Sequence, residues 1–366
     1  MPEKARVAII GTGWWATTAH FPSLQAHPDA EIVAIADQRP DTLAKAGEAF
    51  GVRNRYTDVE EMLDKERLDG AVVATWHSTH YEATRACLER GLHVMIEKPM
   101  VLKATHARHL VELAKQQRRE IIVGYPWHFS ARGRRAREVL QSGELGKIRY
   151  VNCYFSSFIV NFLRGDDKSY EAVFEYPVHG PGDVYSDPER SGGGEGHLQI
   201  THSAGLMYFI TGLRPVSVMS LMDNLGLRMD VIDAMTVRMD NGALANVGGA
   251  GNLPMGDPGK LSIQVNCDDG WLDIDFVSGA GRIRHADGTD EELAPLAGGS
   301  LPAGAEGGEA AYPLEATAAN LVDVITGKAP NGSPGEVGWR VVEMLDAAYR
   351  SAARGGQAVS VESIYE

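Results

Sequence analysis

The sequence predicts an α/β chain of two domains, a parallel sheet of βαβ units followed by an α+β domain with a large, mainly antiparallel open sheet. Three observations predict it. Over residues 1–125 short apolar runs alternate with helical patterns. A glycine turn, Gly11-Thr12-Gly13-Trp14-Trp15-Ala16, follows the first apolar run directly. Beyond Tyr125 the rhythm changes to closely spaced β-branched and aromatic runs. At 366 residues the chain is long for one core and fits two, read as 1–125 and 126–366, with a C-terminal helix able to pack back on the first.

In order, Arg6–Ile10, Glu31–Ala36, Leu68–Ala74, His93–Ile96 and Glu120–Val123 read as buried strands. Between them Arg39–Phe50, His80–Arg90 and Lys103–Gln117 read as helices. Gly51 and Gly91 directly follow two of these, where glycine readily closes a helix. In the second domain Ile148–Ile159 reads as a strand. The polar, Gly/Pro-rich stretch from Gly165 to Gly194 is too long for a simple connection, which points to function. A helix from Leu198 to Thr211, closed by Gly212, precedes strand-like runs at Val216–Met222, Ala234–Met239, Ala243–Gly248, Leu261–Val265 and Gly270–Phe276. Asp287–Pro313 reads as loop and Gly335–Ala353 as a final helix.

Composition narrows the function classes. A hydrophobic fraction of 44% and a charged fraction of 23% suit a globular protein, and no apolar run is long enough for a membrane span. The N-terminus enters a strand pattern at once, so no targeting peptide is expected. A net charge of −14 disfavours nucleic acid and anionic membranes as partners. Arg132, Arg134, Arg135 and Arg137 are a local exception, read as a solvated helix face. Cys87, Cys153 and Cys267, odd in number and far apart, argue against a disulfide framework and for a reducing cytoplasm.

The glycine turn carries the first functional reading. With a strand before it and a helix after it, it matches the Rossmann dinucleotide fingerprint. Gly11 permits the turn, Gly13 lets a pyrophosphate approach the backbone, and Ala16 lets the helix pack close. The helix N-terminus supplies amides and positive dipole. Asp37, 24 residues after Gly13, ends the second strand. A carboxylate there suits a ribose 2′-hydroxyl and repels a 2′-phosphate, so NAD is expected over NADP, with Arg39 leaving some NADP use open. Glu97-Lys98-Pro99 ends the fourth strand at the edge where open parallel sheets bind ligands, within reach of a nicotinamide ribose and a substrate hydroxyl.

Together these features resemble the Gfo/Idh/MocA family of sugar-type oxidoreductases. The resemblance spans nearly the whole chain. It rests on the 11–16 turn, Asp37, Thr75-Trp76-His77-Ser78-Thr79-His80, Glu97-Lys98-Pro99, Val123-Gly124-Tyr125, Gly192-Gly193-Gly194 leading to His202, and the late strand at Val359. It implies an N-terminal Rossmann domain, a C-terminal domain with a large open sheet, and homodimers or homotetramers formed through that sheet. It further implies that Gly11, Thr12, Gly13, Trp14, Trp15, Asp37, Thr75, His77, His80, Glu97 and Lys98 bind the cofactor. Two departures stand out. Trp76 and His77 replace a Pro-Asn pair of the family, and Leu198 stands where the family usually has an Asp four residues before the histidine.

Oxidising an alcohol by hydride transfer needs a base at the hydroxyl, and Lys98 and His202 are the candidates. A cationic nicotinamide beside Lys98 would lower its pKa. Gln199 shares the helix face of His202. Tyr125 and His128, just past the fifth strand, are candidates for substrate contact or for packing. In the long loop Tyr185 and Asp187 are best placed to enter the cleft, while Arg164 and Lys168 could bind an anionic group, with solvation as the alternative. His197 and His202, five apart, are poorly spaced for a metal, and none is expected.

Three functions are compatible with these residues. The first is NAD-dependent oxidation of a secondary hydroxyl, plausibly C3, of a sugar or glycoside. The second is a redox glycosidase, as in some relatives of the family, which oxidises C3, eliminates the aglycone, adds water and reduces C3 again, and which could act on an anionic sulfosugar. The third is a non-catalytic NAD-binding regulator.

Overall fold

The computed structural model describes residues 4–171, 176–294 and 312–366. β1 (Ala5–Ile10), β2 (Ala30–Ala36), β3 (Asn54–Tyr56), β4 (Gly70–Val73), β5 (His93–Ile96) and β6 (Ile121–Val123) form a parallel sheet in the order β3-β2-β1-β4-β5-β6. Apart from β3, its strands are largely buried, as continuous apolar runs flanked by helices on both faces must be. The strand order reverses between β1 and β4, the place where such sheets open a crevice at their carboxyl ends. β3, Asn-Arg-Tyr, carries no apolar signal and was not legible as a strand; it pairs only with β2.

β7 (Ile148–Ser156), β8 (Pro215–Asp223), β9 (Ile232–Met239), β10 (Leu244–Ala250), β11 (Lys260–Cys267), β12 (Trp271–Asp275), β13 (Gly281–Arg284), β14 (Asp290–Leu293) and β15 (Val359–Ser360) form the second sheet. Its order is β14-β13-β12-β11-β7-β10-β9-β8-β15. All neighbours are antiparallel except β7 and β10. One face packs on the helices Thr201–Thr211 and Gly335–Ala352, and the other leaves Tyr154, Met219, Leu221 and Leu244 exposed. β9 shows the consequence in its strict alternation of exposed and buried residues.

Three expectations differ. The stretch read as loop from Asp287 contains β14, which closes a hairpin with β13; residues 295–311 lie outside the described ones. The helix Ala316–Thr326, unforeseen, returns to the first sheet, where Ala318, Leu321 and Val322 enter its core. The basic helix Ala131–Ser142 is not merely solvated. Arg135 forks onto Glu291, Arg132 Nε donates to the Gly279 carbonyl at 2.7 Å, and Arg137 lies 4.5 Å over the Phe209 ring.

Candidate active site

A cavity of about 600 Å³ runs along the carboxyl edge of the first sheet and under the long loop of the second domain. Ile10, Ala36, Ala74 and Glu97, at or just past the ends of four strands, line one side. Gly11 is required by the packing. Its φ is +88°, and a Cβ there would lie 2.5 Å from the Ala74 carbonyl oxygen. A Cβ at Gly13 would meet only an Arg39 nitrogen at 3.9 Å, so the backbone there is open to a pyrophosphate. The chain then turns widely over Ala16–His20 before the regular helix Phe21–Ala26. This cradle fits a dinucleotide.

Asp37 is already engaged. Its Oδ2 accepts from the Thr12 amide at 2.9 Å, the Thr12 hydroxyl at 3.2 Å and an Arg39 nitrogen at 3.0 Å. Its Oδ1 accepts from the Arg39 amide and Nε at 2.9 and 3.0 Å. Burial works against the charge, but the hydrogen bonds from Arg39 and Thr12 outweigh it and hold the carboxyl below its ordinary range. Thr12, fully buried, braces the Asp37 carboxylate. Thr75 and Trp76 line the cavity, and Arg39 and Arg190 lie 6.0 and 4.6 Å from the Trp76 ring. His77 lines it too, but its Nδ1 is bound to the Ser191 carbonyl at 2.8 Å. His80 is fully buried, with Nδ1 and Nε2 2.9 and 3.1 Å from the Pro99 and Thr75 carbonyls. Its ring ties the two loops together and lines the cavity beside His77.

Glu97 is a buried hub. Oε1 accepts from Trp15 Nε1 at 2.9 Å and lies 2.8 Å from His20 Nε2, while Oε2 accepts the Lys98 amide at 3.0 Å. Lys98 Nζ turns into the cavity and donates to the Leu198 carbonyl at 3.0 Å. Leu198 belongs to a wide turn, Gly196–Ile200, that leads into the helix Thr201–Thr211. Burial lowers the Lys98 pKa to about 8, against the pull of Glu97. His202, on that helix, lines the same cavity. Burial first, then the charge of Lys98, holds its pKa well below the usual histidine value. Its Nδ1 is buried without a hydrogen-bond partner among the described residues, and the Trp127, Phe155 and Tyr312 rings stand edge-on around it at 5.5, 6.4 and 6.1 Å.

The other sequence candidates separate. Gln199 and Tyr185 line the cavity, and the Tyr185 hydroxyl accepts from Trp14 Nε1 at 3.1 Å. Tyr125 and His128 do not. The tight turn Pro126–Phe129 sends Trp127 to the cavity, while the Tyr125 hydroxyl meets Thr201 at 3.1 Å in the core and His128 stacks on Phe209 at 4.2 Å. Arg164 and Lys168 are exposed and away from the cavity wall, because the short helix Val160–Leu163 buries Phe162 and Leu163 and leaves the cations in solvent. Asp187 caps the short helix Pro188–Ser191 by accepting the Glu189 amide at 3.1 Å. Phe155, Phe158 and Tyr312 line the cavity and were missed. The only signal for them was aromatic content at the end of a strand and beyond the second-domain loops. Among the described residues no His, Cys, Asp and Glu cluster could hold a metal ion.

Residues 5–125 match the family model GFO_IDH_MocA, described as an oxidoreductase family with an NAD-binding Rossmann fold. Residues 134–273 match the GFO/IDH/MocA C-terminal domain. The chain is 32% identical over 143 residues to D-glucoside 3-dehydrogenase of Escherichia coli, covering 39% of this chain and 41% of that protein. It is 25% identical over 194 residues, 53% of each chain, to dTDP-3,4-didehydro-2,6-dideoxy-alpha-D-glucose 3-reductase of Streptomyces antibioticus. The chain spans about half the length of the curated relatives it matches. Its fold is similar to that of aldose-aldose oxidoreductase from Caulobacter crescentus, crystallised with glycerol. The TM-score is 0.74 at 23% identity, over 98% of this chain and 100% of that one.

Proposed function

The chain belongs to the GFO/IDH/MocA family of oxidoreductases, with NAD as the cofactor of its Rossmann domain, and from that premise we propose that it oxidises a secondary hydroxyl, at C3, of a sugar or glycoside. One observation carries the reading. Lys98 and His202 face one cavity at the carboxyl edge of the NAD-binding sheet, and the charge of Lys98 bears on His202. When bound, NAD supplies the hydride acceptor. Gly11, Gly13 and Asp37 would hold its pyrophosphate and ribose, and Thr75, Trp76 and His77 would border its nicotinamide half. Lys98, titrating near 8, takes the hydroxyl proton onto Nζ as the C3 hydrogen leaves with its electron pair. His202 stays neutral and orients the hydroxyl. Gln199 and Tyr185 position the ring. The names of the relatives support a sugar substrate and the C3 position.

The experiment is to incubate the protein and NAD with glucosides, following NADH absorbance and identifying the keto-sugar by NMR. Binding of NAD with no oxidation of any sugar would return the chain to the regulator reading.

A redox glycosidase is the second reading, favoured by Lys98 being paired with a main-chain carbonyl and not a carboxylate. Lys98 and His202 would then serve different protons, the C3 hydroxyl and C2–H. Loss of C2–H from the 3-keto sugar expels the aglycone from C1, water adds across C1–C2, and the hydride returns to C3. Aglycone release in heavy water with deuterium at C2 and no net NADH selects it. The cavity departs from a sulfosugar site, since Arg164 and Lys168 lie off its wall.

We place the protein in the cytoplasm as a homo-oligomer. Free Cys87 and Cys153, both buried, support a reducing compartment. No helix among the described residues is long and apolar enough to cross a membrane. Met219, Leu221 and Leu244, exposed on the open sheet, support assembly through that face. Light scattering of wild type and Leu221→Lys tests it.

A further inference from the structure

The cavity beyond Lys98 and His202 has a chemical character of its own. Apart from histidines, the cations on the described wall are Arg39 and Lys98. The first is clasped to Asp37 and the second belongs to the reacting end. The carboxylates on the wall, Asp37, Asp58, Glu60, Glu82 and Glu97, all come from the Rossmann side. Among the described residues the substrate end thus offers no spare charge to a phosphate, sulfonate, carboxylate or amine. Its polar groups are few. Gln199 and Ser156 lie on the wall, as do Ser157 and His179, whose Oγ and Nε2 are buried without a hydrogen-bond partner among the described residues. That set suffices for some of a sugar's hydroxyls.

The rest of that end is apolar, with Ile159, Val184 and Leu198 among several aromatic rings. Phe158 and Tyr185 are half-buried on the wall, with Tyr312 and Trp14 nearby. Phe158 is held in place from behind. Tyr170 stacks near it at 5.9 Å and donates its hydroxyl to the Phe158 carbonyl, and Tyr170 in turn stacks on Phe162 at 3.6 Å. A sugar ring covers one aromatic face with its C–H side, and a wall of several fixed rings exceeds what it can cover. Rigid apolar surface in a concave site is matched by apolar ligand surface.

We infer that the substrate is a neutral glycoside with an aromatic aglycone, the sugar at Lys98 and His202 and the aglycone against Phe158 and Tyr185. The inference rests on the sugar-oxidation reading and adds the substrate class to it. The test measures kcat/KM for phenyl and methyl glucosides of both anomers, free glucose and glucose 6-phosphate, with the full chain and NAD. The phenyl compounds should exceed the methyl ones by roughly tenfold or more, as burial of part of a phenyl ring gives. Phe158→Ala should bring that ratio towards one, and Phe158→Leu should keep most of it. Equal rates on methyl and phenyl glucosides, or preference for the phosphate, overturn the inference and leave sugar oxidation standing. No turnover of any sugar overturns both. If Phe158→Ala does not fold, the wild-type ratio decides alone.

Discussion

Lys98 Nζ donates to the main-chain carbonyl of Leu198, 3.0 Å away and 100 residues further along the chain. This bond joins the end of β5 in the NAD-binding sheet to the wide turn that carries Gln199 and His202 towards the cavity. A carbonyl aims the ammonium without adding the full negative charge that would push its pKa up, and burial then brings it down to about 8.

Lys98→Ala should lower kcat by roughly a thousandfold or more while NAD affinity stays within a few fold, since the group acts in the transition state. In wild type, kcat/KM for oxidation should rise with pH and level off above about 8. The base is active only when deprotonated, so rate is lost as pH falls through that value. Initial-rate kinetics and fluorescence titration of NAD check both. A flat profile with an active Lys98→Ala protein would remove the lysine from the chemistry.

His202→Ala should cost about 100-fold in rate. Because burial keeps the ring neutral, His202 should add no break to the profile at neutral pH, and its removal should leave the lysine limb in place. A tenfold effect or less in a folded variant would make it a packing residue.

Asp37→Ala should weaken NAD by about tenfold and strengthen NADP. It removes the carboxylate proposed to receive the ribose and frees the Arg39 guanidinium now clasped to it. Unchanged selectivity in paired titrations would show that Arg39 already neutralises Asp37 towards the cofactor.

Gly11→Ala should destabilise the first domain and abolish NAD binding, because the added Cβ meets the Ala74 carbonyl and the backbone is left-handed. Thermal unfolding with and without NAD reads both effects.

Glu195 and Asp233 bury carboxyls whose oxygens have no hydrogen-bond partner among the described residues. Burial first, then neighbouring acids, raises Asp233 to about 9 and Glu195 well above its usual value. An acid raised in the folded state contributes stability below its unfolded pKa of about 4 and loses it as pH rises through the folded value. The protein should therefore melt lower at about pH 9 than at about pH 6. Asp233→Asn should raise Tm at the alkaline end by a few degrees, at roughly 2–4 °C per kcal/mol. A Tm that does not fall with pH would contradict these shifts.

Much of this was legible because it is local. A buried parallel strand must be apolar throughout, a tight turn against a phosphate must be glycine, and helix ends want glycine, so β1, β2, β4 and β5 and three intervening helices fell near their expected places. β3 was not legible because an exposed edge strand needs no apolar side chains. The helix Ala316–Thr326 was missed because its reason to form is a sheet that lies far earlier in the chain.

At the site the sequence alone determined the residue types and the edge at which they gather: the glycine cradle, Asp37, Lys98 and His202. The tertiary structure decided direction. In Tyr125-Pro126-Trp127-His128 it turned the tryptophan to the cavity and the other two rings into the core. It left Arg164 and Lys168 in solvent and gave Lys98 a carbonyl from the wide turn 100 residues away. The physical reason is that composition and spacing fix which backbone forms, whereas the facing of a side chain in a turn, and the partner of a buried cation, depend on what packs against it from elsewhere in the chain.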